Sequence, residues 1–67
     1  MKPGTRVRMT ASYRDRLCVY SVEHAVEFGE CVGVVLGPSD NGPEVLVSWE
    51  PSGLRYSYLP EDLVEVG

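Results

Sequence analysis

Polar and apolar residues alternate strictly in the segment 5–10, where Val7 and Met9 share one parity and the arginines share the other. A period of two residues is typical of a strand with one buried face and one solvated face. The segments 44–50 and 54–59 repeat this pattern. The alternation therefore predicts three half-buried strands.

Other signals indicate two further strands and a helical turn. The continuous apolar run 31–36 is typical of a buried strand, and Gly33 within it indicates a bend or a bulge. A short strand is predicted at 64–66, after a single helical turn over 60–63 that begins with Pro60. The chain is thus predicted to be an all-β domain of five short strands with one helical turn near its C-terminus.

The segment 11–30 lies between the first two predicted strands and shows no clear period. We predict that it forms a long, partly irregular loop. Alternation within 21–28 suits a strand, whereas Ser21 as N-cap and Gly29 as the residue after the last turn suit a short helix. Strand, helix and loop therefore all stay open for 21–28, and the extended loop is our interpretation.

The composition agrees with one small β domain. The 67 residues include eleven valines and four tyrosines, and the seven glycines and five prolines argue against a helical bundle. A chain of this length is at the lower end of what folds alone, so we predict a single domain over 1–67. It has no apolar run of about 18 residues and no apolar signal-peptide core at its start. We therefore expect no membrane insertion and a cytoplasmic location.

The order of the segments resembles that of the Src-homology-3-like small barrels. The resemblance rests on Gly-Thr-Arg-Val-Arg at 4–8, the strand segments 32–35 and 45–49, and Leu-Pro-Glu-Asp-Leu at 59–63. Similar layouts occur in mind-bomb-type repeats, in the peripheral stromal subunit of photosystem I, and in small phage and bacterial proteins. The resemblance implies a five-stranded barrel in which 11–30 is the long first loop. It singles out no one family and no function.

The reactive side chains form no recognisable catalytic or metal-binding motif. His24 is the only histidine, and the spacing of Cys18 and Cys31 fits no zinc site. We expect two free thiols, no catalytic residue, no metal and no cofactor. A protein without enzymatic activity is therefore the first interpretation, and an oligomeric enzyme with its site at a symmetry axis is the third.

Charge is unevenly distributed along the chain, whose net charge is −4. Residues 1–16 contain five basic residues and one acid, whereas residues 17–67 contain one arginine and nine acids. The arginines of the first segment would suit a nucleic-acid-binding patch. They would equally suit the solvated face of a strand, neutralised by neighbouring acids. A nucleic-acid-binding module is therefore the second interpretation of function.

The aromatic residues favour a protein partner. Trp49, Tyr56 and Tyr58 share the parity of apolar strand residues and suit the core, although a surface position for Trp49 stays open. Tyr13 and Tyr20 lie outside the clear alternation, in the same loop as Arg14 and Arg16, and aromatic residues together with arginines anchor interfaces. We predict an interaction or assembly module that contacts a protein partner or a second copy through one surface. That surface consists of Tyr13, Arg14, Arg16 and Tyr20.

Overall fold

The computed structural model describes residues 1–40 and 42–66. In this part of the chain five strands and two helices follow one another, with a 3₁₀ turn over Pro60–Asp62 before the last strand. The five strands and the turn lie within two residues of their predicted positions. The elements are β1 (Arg6–Met9), α1 (Ala11–Tyr20), α2 (Val22–Phe28), β2 (Gly33–Pro38), β3 (Val45–Trp49), β4 (Arg55–Tyr58) and β5 (Leu63–Glu65).

The strands form a single antiparallel sheet in the order β4-β3-β2-β1-β5. Val7 of β1 pairs with Gly33 of β2 on one side and with Glu65 of β5 on the other. β4 and β5 are the edges, and no pairing joins them within residues 1–40 and 42–66. The sheet is open, so the predicted closed barrel is wrong.

The prediction of an all-β fold with an irregular first loop is also wrong. The segment predicted as loop contains α1, with 10 residues, and α2, with 7 residues. Of the alternatives left open for 21–28, the short helix is the one observed. The protein is a small mixed α/β domain, in which two helices pack against an open five-stranded sheet.

The ends of the helices explain why this segment leaves the extended conformation. The Thr10 hydroxyl oxygen accepts a hydrogen bond from the Tyr13 backbone N–H at 3.1 Å, which caps α1. Ser21 separates the helices, and its N–H donates to the Leu17 carbonyl at 2.7 Å. Gly29 follows the last residue of α2 as its C-cap, and a Cβ at this position would overlap the carbonyl oxygen of Ala25. Only glycine fits this position without a shift of the backbone.

The core lies between the sheet and the helices. Trp49 is fully buried, which decides between its two predicted positions in favour of the core. The Phe28 ring of α2 stacks on Trp49 with ring centroids 5.7 Å apart, so the second helix is part of the same core. The buried cluster consists of Val7, Met9, Phe28, Val35, Val45, Val47, Trp49, Tyr58 and Leu63.

The two glycines of β2 have different structural roles. A Cβ on Gly33 would lie 2.8 Å from a ring carbon of Trp49, so this position lets the core approach the backbone closely. We predicted a bend or a bulge at Gly33, and the irregularity in the pairing lies further along, between Val35 and Gly37. Gly37 has φ +145°, a value that favours glycine.

Candidate functional site

The outer edge of β4 carries unpaired backbone groups. The Trp49 N–H donates to the Leu54 carbonyl at 2.9 Å, immediately before β4 begins. Hydrogen-bonded pairs recur at every second residue of an antiparallel ladder, so Tyr56 is the next residue whose backbone faces β3. The backbone N–H and C=O of Arg55 and Ser57 therefore point away from the sheet. No other strand of the described chain, 1–40 and 42–66, pairs with this side of β4.

An open groove of about 500 Å³ follows this edge. Sheet residues from both faces line it at the free edge, namely the four residues of β4 together with Glu44 and Leu46, and a second wall comes from the two helices and their junction. We call this feature the edge groove. Its lining consists of Tyr13, Leu17, Ser21, His24, Glu44, Leu46 and the residues of β4.

The Tyr58 hydroxyl connects the edge groove to the core. It lies 2.9 Å from the Trp49 indole nitrogen and 2.7 Å from His24 Nε2. An indole N–H can only donate, so the Tyr58 oxygen accepts this bond and its own proton is available to His24 Nε2. Burial raises the pKa of Tyr58 well above its ordinary value, which keeps the hydroxyl protonated.

His24 is held as a neutral ring by this arrangement. Burial lowers the pKa of His24 below its ordinary value, and the Glu27 carboxylate opposes that shift only in part. A neutral ring that accepts at Nε2 carries its proton on Nδ1. The His24 ring makes a T-shaped contact with the Tyr56 ring, with centroids 4.8 Å apart. The His24 ring, which carries its proton on Nδ1, is therefore fixed among the aromatic side chains of the groove.

Tyr13 forms the other end of the aromatic wall. Its ring meets Tyr58 edge-on, with centroids 5.7 Å apart. Burial and then the Asp62 carboxylate raise the pKa of Tyr13, and Arg16 opposes them. The phenol is therefore neutral, and the wall has hydrogen-bonding capacity at both ends.

Two opposite charges lie at the two ends of the edge groove. Arg55 of β4 pairs in register with Ser48, whereas Glu44 lies just before Val45, at the start of β3. Four residue steps separate Glu44 from Ser48, the partner of Arg55. At about 3.3 Å per residue, Glu44 and Arg55 therefore lie about 13 Å apart along the strand direction. Within the described residues, neither Arg55 nor Glu44 takes part in an ion pair. Both charges are thus available to a binding partner.

The structure brings together two of the four predicted contact residues. The Arg16 guanidinium lies over the Tyr13 ring, 5.5 Å from its centre, and pairs with the buried Asp62 carboxylate at 2.8 Å. Tyr13 lines the edge groove, so this residue of the predicted surface belongs to the observed groove.

The other two predicted residues are placed differently. Arg14 pairs with the Glu30 carboxylate, which Arg8 also contacts at 3.0 Å, and neither arginine lines the edge groove. Tyr20 stands at the end of α1 with 83% of its surface exposed. Whether Tyr13, Arg14, Arg16 and Tyr20 together bind a partner stays a prediction.

Sequence analysis did not identify the remaining groove residues. His24 belongs to the segment whose structure the sequence leaves open, Arg55 is predicted only as part of an alternative site with the turn at 51–53, and no partner-binding role is predicted for Glu44. The alternation assigned Tyr56 and Tyr58 to one face of β4, but it carries no information about which strand is an edge. The neighbours of a strand depend on the topology of the sheet.

No protein-family model matches the chain, and neither curated proteins nor solved structures show significant similarity to it. Cys18 is exposed and Cys31 is half-buried, and both are free cysteines. In residues 1–40 and 42–66, no three histidine, cysteine or acidic side chains are grouped as a metal ion requires. Neither helix in that part of the chain has the length and apolarity needed to cross a membrane.

Proposed function

We propose that this protein is a non-enzymatic interaction module that binds an extended protein segment along the β4 edge. The observation that carries the proposal is the outward-facing backbone of Arg55 and Ser57, which opens onto an aromatic groove. A segment added beside β4 would hydrogen-bond to these groups and extend the sheet. Every second side chain of that segment would face the wall formed by the two helices.

The walls of the edge groove support binding because they are already ordered. The Tyr58 hydroxyl is fixed by Trp49 and His24, and ring contacts hold Tyr13 and Tyr56 in place. A binding surface that needs little ordering loses less free energy when a partner docks. Tyrosine supplies a large contact area and a polar tip, and it is enriched at interfaces.

The second edge of the sheet is a weaker candidate. β5 has three residues, and its Glu65 places a carboxylate on this short edge. Short and charged edges discourage the addition of a strand. β4 is longer, and it is the edge that borders a groove. These features favour β4 as the site of binding.

The ion pairs of the first segment favour a protein partner over a nucleic acid. Arg8 and Arg14 share the Glu30 carboxylate, and Arg16 contacts Asp62, so three of the basic residues already have carboxylate partners. Phosphate binding relies on cations that are free to replace counterions.

The proposal includes a cytoplasmic location, because Cys18 and Cys31 are free thiols and reducing compartments preserve thiols.

A selection from a random library of short linear peptides tests this function, with the whole chain as bait and binding measured by fluorescence anisotropy. Ser57→Pro removes the outward N–H but leaves the β3 ladder intact, since proline is tolerated where the N–H of an edge strand faces outward. Ser57→Ala is the matched control, because it loses only the hydroxyl contact with Ser39.

We expect selected peptides to bind the Ser57→Ala variant like the original chain and the Ser57→Pro variant about tenfold or more weakly, given the lost hydrogen bond and the bulk of the ring. Amide chemical shifts of Arg55 and Ser57 should change on binding. Equal affinity for the two variants, or shifts confined to the outer face of α2, would refute the proposed site. Circular dichroism of both variants checks that they are folded.

A further inference from the structure

We infer that the segment bound in the edge groove is β4 of a second copy of this chain, so that two copies pair edge to edge. This inference rests on the proposed function and identifies the segment that occupies the edge groove. Two identical strands related by a two-fold axis run antiparallel, and each presents the same residues to the other. The shape of the β4 edge and its charges both fit this symmetry.

The direction of the backbone groups limits the register of the pair. Only residues whose N–H and C=O point outward form hydrogen-bonded pairs across the new interface. On β4 these are Arg55 and Ser57, and Leu59 follows in the extended conformation with φ −69° and ψ 141°. The Leu59 carbonyl already accepts the Asp62 N–H at 3.0 Å, so only the Leu59 N–H can bond to a neighbouring strand. A two-fold axis through Ser57 pairs Ser57 with its own copy and places Arg55 opposite Leu59 of the second copy, where the Leu59 N–H can donate to the Arg55 carbonyl.

This register brings together the two charges that are unpaired in a single chain. In each copy Val45 pairs with Tyr58, so Glu44 lies beside Leu59 on the same face of the sheet. Arg55 of one copy would therefore lie two strand spacings from Glu44 of the other, which is about 10 Å between Cα atoms. Both side chains are long enough to reach across the intervening leucine. Because of the symmetry, the ion pair forms twice.

Aromatic contacts on the opposite face of the sheet favour the same register. Tyr56, which has 41% of its surface exposed in a single chain, would lie diagonally across the two-fold axis from Tyr56 of the second copy. Diagonal neighbours on two paired strands are within reach of aromatic side chains, and such pairs stabilise a sheet. An unrelated peptide would need a basic residue opposite Glu44 and an acidic residue opposite Arg55. A second copy already carries both of these charges at the matching positions.

Charge reversal provides a specific test, measured by sedimentation equilibrium of the full chain over a range of concentrations. We expect the unmodified chain to dimerise, and Glu44→Arg or Arg55→Glu alone to weaken the dimer about tenfold or more, because each brings like charges together twice. An equimolar mixture of the two variants should regain dimer affinity. In the mixed dimer both contacts join opposite charges.

The Ser57 variants give an independent measurement. Ser57→Pro should abolish the dimer, and Ser57→Ala should leave it unchanged. A chain that stays monomeric while selected peptides still bind at the β4 edge would overturn the second copy as occupant and leave the proposed function standing. Dimers that persist in Ser57→Pro would place the interface elsewhere, as would charge variants that do not regain dimer affinity when mixed. Either result would also overturn β4 of a second copy as the occupant of the edge groove.

Discussion

At the scale of single residues, Tyr58 shows how the core and the edge groove depend on each other. Its ring is buried, while its hydroxyl accepts the Trp49 N–H and faces His24. Buried polar atoms require such partners, because an unpaired one loses its solvation without compensation. Strand parity indicated an inward position for Tyr58, but its partner His24 comes from a helix that the pattern did not define.

The His24–Tyr58 contact predicts that acid destabilises the protein. Burial lowers the pKa of His24, so near the ordinary histidine value of about 6.5 the unfolded chain binds more protons than the folded chain. The stability contributed by neutral His24 is therefore complete above about pH 6.5 and is lost as the pH falls. Protonation also fills Nε2, and the Tyr58 hydroxyl loses its acceptor.

Urea unfolding measured between about pH 7 and pH 5.5 checks this, in a range above the ordinary carboxylate values. The unfolding midpoint should fall with pH in the unmodified chain and fall less in His24→Gln. The same slope in both proteins would assign the pH dependence to groups other than His24.

At the scale of elements, the strands were predictable, α2 was one of three open alternatives, and α1 was not predicted. Alternation reports directly which side of a strand is buried, as Val45, Val47 and Trp49 of β3 show. α1 has no such signal, because none of its residues is fully buried. Contacts from outside the helix hold it in place, including the pair between Arg16 and Asp62, 46 positions apart. Such contacts leave no periodic trace in the sequence.

The cap at Thr10 gives a prediction for α1. Thr10→Ala removes the oxygen that accepts the Tyr13 N–H, and loss of such a cap costs about 1 kcal/mol. Thr10→Ser keeps the oxygen and is the matched control. We expect denaturant unfolding, followed by circular dichroism, to show a lower free energy of unfolding for the alanine variant only. Equal losses in both variants would assign the effect to the missing methyl group.

At the scale of the whole molecule, strand patterns left the closure of the sheet undetermined. The same five alternating segments suit a closed barrel and an open sheet, because the burial of one face does not report whether the edges meet. The structure also differs from the prediction at 11–28, where helices take the place of the predicted loop. The candidate site has the same origin: Tyr13 was predicted as a contact residue, but the groove exists only because the helices lie beside the free edge of β4.

The stacking of Phe28 on Trp49 predicts that helices and sheet unfold as one unit. Phe28 is 2% exposed, and truncation of a buried phenylalanine to alanine costs about 3–5 kcal/mol, a large part of the roughly 5–15 kcal/mol that stabilises a typical domain. Val26→Ala on the same helix is the control, because this side chain is 77% exposed and its loss should change stability by less than about 0.5 kcal/mol. Thermal unfolding followed by Trp49 fluorescence and by helical circular dichroism should give one coincident transition in the unmodified chain, and both signals should shift together in Phe28→Ala. A helical signal that melts first while Trp49 fluorescence stays native would show that the helices are only loosely attached, and the edge groove would then lack a rigid second wall.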